Sequence, residues 1–400
     1  MAITDDIRVI DADTHVLEPH DLWTARLSAA KWGEQIPHLV WDEEHQVELW
    51  MSGDEIVGYG SAWAAHAGGD KWYPDMAKRW DEIVAATPCA VDPELRLGIM
   101  DSYGVYAEVL YPNVLVFGGE HFTRKAHSSE DSELFLECTR AYNDFLTDYA
   151  GTDPLRFVPI AALPFWDVAE SIAELHRAAG NGHKGVIFPQ FPEFHGQPLL
   201  SDRHWDPLWA AAQEAGMPVN FHIGSGGTSD AWTILSQDAG HASNVSARTS
   251  VFFIDNARTI AALTAGGVCH RFPDLKFVSV ESGVGWIPFV LQSLDWMWRN
   301  SSASWREHPE YLLPSESFRR QIYGCFFFES GEPLDAAIEF LGPDKVLYES
   351  DYPHPASMAP GPATTAVAPK EYIETTLGHL PEATLRKILH DNAASLYHLP

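Results

Sequence analysis

Short apolar, β-prone runs alternate with stretches of helical periodicity along most of the chain, and this alternation limits the fold more than any other feature. The runs lie at 8–15 (RVIDADTH), 106–112 (YAEVLYP), 156–164 (RFVPIAALP), 185–190 (GVIFPQ), 218–224 (PVNFHIG), 276–283 (KFVSVESG), 321–330 (QIYGCFFFES) and 346–354 (VLYESDYPH). Helical patterns occupy 129–149, 168–179, 205–215, 250–264, 286–299, 332–340 and 371–397. Parallel neighbours in a sheet need a crossover, so strand–helix–strand alternation points to a parallel sheet. Eight such units close most economically into a (β/α)8 TIM barrel, with helices outside and function on the loops at the C-terminal ends of the strands. An open doubly wound sheet is the alternative. No GxGxxG follows the first run, which counts against a dinucleotide site.

Residues 17–100 break the pattern. They are rich in Gly, Pro and charge, and carry Trp23, Trp32, Trp41, Trp50, Trp63, Trp72 and Trp80. We read them as an insertion between the first two strands of a single domain spanning 1–400; folded over the mouth, it would wall an apolar pocket. Two further stretches, 225–244 after the fifth strand and 355–370 after the eighth, are long for such connections and read as lids. With 56 acidic against 26 basic residues the formal charge is −30, which disfavours nucleic acid and anionic lipid as partners. Cys89, Cys138, Cys269 and Cys325 have no CxxC spacing and read as free thiols of a reducing, cytoplasmic compartment. The N-terminal MAITDDIRV has no signal-peptide blocks, and no apolar run reaches the ~18 residues of a membrane span.

On the first strand Asp11, Asp13 and His15 alternate with Ile10, Ala12 and Thr14, so a polar stripe stands where one of core residues is expected. A carboxylate and an imidazole two residues apart on rigid backbone suit a divalent metal. The same end of other strands presents His222 (fifth), Glu281 (sixth), Glu329 (seventh) and Asp351 (eighth). Each alone reads equally well as a satisfied interior group or a helix-start acid. Together they place four carboxylates on one rim, and without a cation that arrangement costs several kcal/mol or forces protonation. One or two divalent ions remove the repulsion. Asp11, Asn220 and Glu349 lie one layer deeper and are expected to orient ligands. His241 and His354 are loop candidates for a base or a further ligand. No GxSxG elbow supports a serine nucleophile.

The segments DADTH, FHIG and SDYPH resemble the amidohydrolase-related family, the branch of the amidohydrolase superfamily with aminocarboxymuconate semialdehyde decarboxylase and aromatic acid decarboxylases. The resemblance spans nearly the whole chain and implies a barrel metal held by Asp13, His15, His222 and Asp351. The chain departs from the decarboxylases in having Glu281 where they resemble one another in a sixth-strand His, and in adding Glu329. Two imidazoles with four carboxylates is the stoichiometry of di-iron carboxylate proteins, and oxygen-rich donors suit iron or manganese. In this the chain is similar to a small group of O2-dependent hydroxylases with a dinuclear iron or manganese–iron centre. The leading expectation is therefore hydroxylation of a small organic substrate with O2, at two Fe or Mn/Fe, using an external electron donor. Glu281 and Glu329 would complete or bridge the second ion, with Glu281, Glu329 and His241 as catalytic candidates. The alternatives are a mononuclear Zn or Mn decarboxylase or hydrolase acting on a small carboxylic acid or amide, with Glu281 as acid/base, and an idle barrel partnering an active paralogue. An oligomer is expected in each case.

Overall fold

The computed structural model describes residues 3–44, 46–59, 77–113, 131–225, 236–301, 304–361 and 364–400. Eight parallel strands form one sheet: β1 (Val9–His15), β5 (Val105–Tyr111), β6 (Phe157–Ala162), β7 (Gly185–Ile187), β8 (Val219–His222), β9 (Phe277–Val280), β10 (Ile322–Phe326) and β11 (Val346–Tyr348), each paired with the next. The sheet closes on itself. Thr14 bridges Tyr352 in parallel, His15 N donates to Tyr352 O at 2.7 Å, and Asp351 N donates to Asp13 O at 3.0 Å. The expected (β/α)8 barrel is what forms, and its seam joins the first and last strands at their functional ends.

The strands are shorter than the apolar runs that announce them. Residues 163–164, 188–190 and 281–283, the last residues of their runs, leave the ladder because the chain turns at the rim there. All seven residues of β1 are buried, the polar stripe included. Helices cover the outside, among them Ser132–Ala150, Val168–Gly180, Asp206–Ala215, Ile287–Asn300 and Gly331–Leu341. The stretch 250–264 belongs to two helices, His241–Phe252 and Asn256–Thr264. The stretch 371–397, expected as one helix, is a series of short α and π turns from Pro369–Tyr372 to Asn392–Leu396. Pro381 interrupts it, since its ring cannot continue a helix.

Segment 17–100 holds a three-stranded antiparallel sheet of β2 (His38–Asp42), β3 (Val47–Ser52) and β4 (Glu55–Tyr59). Its tryptophans pack: Trp50 meets Trp23 edge to face at 4.9 Å, and Trp23 Nε1 donates to Cys138 O on helix Ser132–Ala150. Trp63 and Trp72 fall outside the described residues. The segment ends in a helix that periodicity does not suggest, Pro93–Tyr103, whose buried face consists of Arg96 and Met100. Asp92 caps it by accepting from Glu94 N and Leu95 N, Pro93 opens it, and Gly104 ends it in the left-handed region. Residues 226–235, half of the 225–244 stretch, likewise lie outside the described residues. After β11 the chain folds back on the strand end, Met358 N donating to Ser350 O at 3.0 Å. All four cysteines are free and buried. Among the described residues no helix is long and apolar enough to cross a membrane.

Candidate metal centre

Four of the expected residues converge at the C-terminal mouth of the barrel. Asp13 and His15 finish β1, His222 finishes β8, and Asp351 follows β11. The seam bonds set Asp351 beside Asp13, and β8 brings His222 across the interior to face Asp13. His15 Nδ1 donates to Pro112 O at 2.8 Å and His222 Nδ1 to Ile223 O at 2.7 Å, so on each ring Nε2 is left with its lone pair. Those two lone-pair nitrogens stand 3.1 Å apart. Asp13 Oδ1 is 3.3 Å from His222 Nε2 and 3.6 Å from His15 Nε2, and Asp351 Oδ1 is 3.5 Å from His15 Nε2.

This grouping lacks positive charge at its centre. Burial, with the nearby charge of His354, lowers the His15 pKa to about 4, so His15 is neutral at neutral pH. Both carboxylate oxygens of Asp13 are buried with no hydrogen-bond donor among the described residues. An undonated buried carboxylate costs several kcal/mol, and lone-pair nitrogens pointing at it add repulsion. A divalent cation between them relieves both. The imidazole and carboxylate donors present fit manganese, iron or zinc.

Two groups complete the surroundings. His354 is stacked on His15 with ring centroids 3.9 Å apart; its Nδ1 lies 2.7 Å from Asp351 Oδ1 and its Nε2 2.9 Å from Asn113 Oδ1. Both ring nitrogens face oxygen acceptors, which favours the doubly protonated ring: burial works against the charge, and Asp351 more than offsets it, raising the pKa above its ordinary value. In return, despite burial, the charge of His354 and its hydrogen bond hold Asp351 below the usual carboxylate range. Glu281 Oε2 is 3.4 Å from His222 Nδ1. Burial first, then the charges of Asp351 and Asp13, push its pKa well above the ordinary value. Glu281 and Asp351 both take positive φ, 53° and 60°, an uncommon conformation for such residues that concentrates at functional sites.

The structure takes Glu329 out of the expected set. Its carboxylate accepts from Val284 N at 3.1 and 2.9 Å and from Gly285 N at 2.6 Å, so it ties the loop after β9 to the end of β10. The expectation that Glu329 bridges two ions does not match where its carboxylate is spent. His241 opens helix His241–Phe252, and its side chain lies outside what the structure describes. The deeper layer acts on backbone: Asp11 Oδ1 accepts from Ser350 N, and Glu349 Oε2 from Glu281 N. Asn220 accepts from the hydroxyls of Tyr111 and Tyr397 and donates to Val186 O. Periodicity gives no sign of Arg96, which spans the seam from beneath; the cap residues Asp92, Pro93 and Gly104 are the signal that marks its helix.

A model of the family described as Amidohydrolase matches residues 10–399. The chain belongs to the amidohydrolase family. This amidohydrolase is 25% identical over 300 residues to a gamma-resorcylate decarboxylase of Polaromonas sp., covering 71% of this chain and 81% of that protein. In fold it is similar to an amidohydrolase of Mycobacterium avium subsp. paratuberculosis, with TM-score 0.73, 23% identity, and coverage of 98% of this chain and 99% of that one. It is also similar to a dihydroxybenzoic acid decarboxylase of Polaromonas sp. solved with bound manganese and the inhibitor 2-nitroresorcinol, with TM-score 0.60, 19% identity and coverage of 98% and 97%. Two of these three are named as decarboxylases.

Proposed function

We propose that this amidohydrolase removes CO2 from a small aromatic carboxylic acid, with one divalent cation held by Asp13, His15, His222 and Asp351. The observation that carries the reading is the convergence of two undonated Asp13 oxygens with two lone-pair Nε2 atoms, beside the buried carboxyl of Glu281. Manganese bound in a decarboxylase of the same fold supports that metal as the first to try. The bound ion would supply a Lewis-acid contact for a substrate carboxylate or phenolate oxygen.

The chain's own groups do the rest. When the C–CO2 bond breaks, its electron pair stays on the ring carbon, which must take a proton. The Glu281 side chain is 11% exposed while Asp13, His15 and Asp351 are wholly covered, so Glu281 is placed to carry that proton and to recover it from solvent. His354 fixes the orientation of Asp351 and balances its charge.

Hydroxylation with O2 at a dinuclear Fe or Mn/Fe centre is the weaker reading, because it draws on Glu329 as a ligand and that carboxylate is bound by two backbone amides. The test is to load the protein with manganese, zinc or iron and follow CO2 release from a panel of hydroxybenzoic acids, with and without O2. Metal-dependent release that persists anaerobically supports decarboxylation. Oxygen consumption coupled to a hydroxylated product overturns it.

A further inference from the structure

The barrel end opposite the metal centre has a cleft of about 200 Å³, between the starts of β8 and β9 and the final helix, Asn392–Leu396. Its walls include the buried apolar side chains of Met217, Leu275 and Leu396, and the polar ones of Lys276, Tyr323 and Ser395. β10 lies between β9 and β11, so Tyr323 on β10 has Lys276, just ahead of β9, to one side and Lys345, just ahead of β11, to the other. The Lys345 Nζ stands 4.4 Å from the centroid of the Tyr323 ring. Glu281 and Asp351 follow the far ends of β9 and β11, so the length of a strand separates this cleft from the metal centre.

The two lysines are a surplus of charge in an unlikely chain. Acids outnumber bases by 56 to 26, yet among the described residues neither Lys276 nor Lys345 meets a carboxylate at ion-pair distance. Both donate to one backbone carbonyl, Arg320 O, at 3.4 and 3.5 Å. A single carbonyl dipole does not neutralise two ammonium groups that also repel each other. The nearby acids leave them unpaired: Asp344 is held by Lys387 at 2.7 Å, and Asp274 is exposed. Burial, with the charge of Lys276, lowers the Lys345 pKa to about 8. Burial lowers that of Lys276 as well, with Asp274 pulling the other way.

We infer that this cleft binds a small organic carboxylate, with the anionic end on Lys276 and Tyr323 and the apolar body on Met217, Leu275 and Leu396. Each part of the lining selects one property of that ligand. Unpaired, half-buried ammonium groups are stabilised by an anion, and the hydroxyls of Tyr323 and Ser395 add donors for its oxygens. The apolar walls gain from covering hydrocarbon and gain nothing from a hydrated inorganic ion. The volume is below the roughly 300–1,000 Å³ of sites for drug-sized ligands, which limits the body to about one ring. None of this draws on the reaction at the barrel mouth, and it stands or falls apart from it.

The experiment is calorimetric titration of benzoate into the manganese-loaded full chain, with 3-iodobenzoate soaked into crystals so that iodine anomalous scattering locates the site. The expected result is a binding event with a dissociation constant of about 1 mM or below, and iodine between Leu275 and Leu396. Lys276→Gln weakens that event about 10-fold or more, and Lys345→Gln about 3-fold. Ser395→Glu, at an exposed position, sets a carboxylate against the ligand and weakens it about 10-fold too, so the test does not depend on how Lys276→Gln folds. Any benzoate bound at the metal centre is common to all four proteins. Iodine at the metal centre only, binding at crystal concentration only, inorganic phosphate held in the cleft as tightly as benzoate, or a cleft event unchanged in Lys276→Gln and Ser395→Glu overturns the inference.

Discussion

The fully buried guanidinium of Arg96 donates through Nε to Glu108 Oε2 at 2.7 Å, joining the helix before β5 to β5 itself. The same group reaches His15 O at 3.4 Å and Tyr352 O at 3.3 Å and lies over the Tyr352 ring at 4.4 Å. One cation thus staples the two chain ends that carry Asp13, His15 and Asp351. Burial works against the charge of Arg96, but Glu108, by charge and hydrogen bond, together with Tyr149 and Tyr352 more than offsets it and keeps the guanidinium protonated.

Removing only the cation leaves Glu108 buried without a partner. Arg96→Met should cost about 3–5 kcal/mol in urea unfolding, and adding Glu108→Leu should return most of it because both charges then go. The double variant should still bind the metal about 10-fold more weakly, since the carbonyls of His15 and Tyr352 have lost their donor. A single variant as stable as the wild type would remove the staple from this picture.

Glu329 gives a direct contrast between an anchor and a ligand. Glu329→Gln keeps one acceptor oxygen for the amides of Val284 and Gly285 and loses the charge, at a cost of about 1.5–3 kcal/mol. Thermal unfolding should show that loss while the metal content stays the same. A drop in bound metal would restore the bridging role.

Asp255, between helices His241–Phe252 and Asn256–Thr264, is pushed by burial to a pKa of about 7, with Arg258 pulling the other way. Its folded value lies above its unfolded one, so folding favours the protonated form. That contribution is full below about pH 4 and is lost as pH rises through 7. Without screening, a rise from 3.8 to about 7 corresponds to about 4 kcal/mol; solvent reaching the side chain reduces this to about 1–2 kcal/mol. Asp255→Asn should therefore be the more stable protein at pH 8, and no different at pH 4. Equal melting curves at both pH values would contradict it.

The barrel was legible because each of its strands is an apolar run with turn residues beyond it, and because a parallel strand buried on both faces needs such a run. The small sheet was not: β2 has no fully buried residue, and Trp41 and Trp50 blur the two-residue alternation. Helix Pro93–Tyr103 escaped because the position that should mark its core face is Arg96. At the site, Asp13, His15, His222, Glu281 and Asp351 were readable from their place after apolar runs. Glu329 obeyed the same rule and proved different, since the rule locates a residue on the rim but not the direction of its side chain. His354 was undervalued for the same reason: its place three residues past Asp351 matters only once the seam stacks it on His15.

The central claim is that Asp13, His15, His222 and Asp351 hold one divalent ion. Equilibrium dialysis against manganese, followed by elemental analysis of wild type and Asp13→Asn, tests it most directly. The account predicts one ion per chain in the wild type and almost none in the variant. Two ions per chain, or equal binding by both proteins, would contradict it.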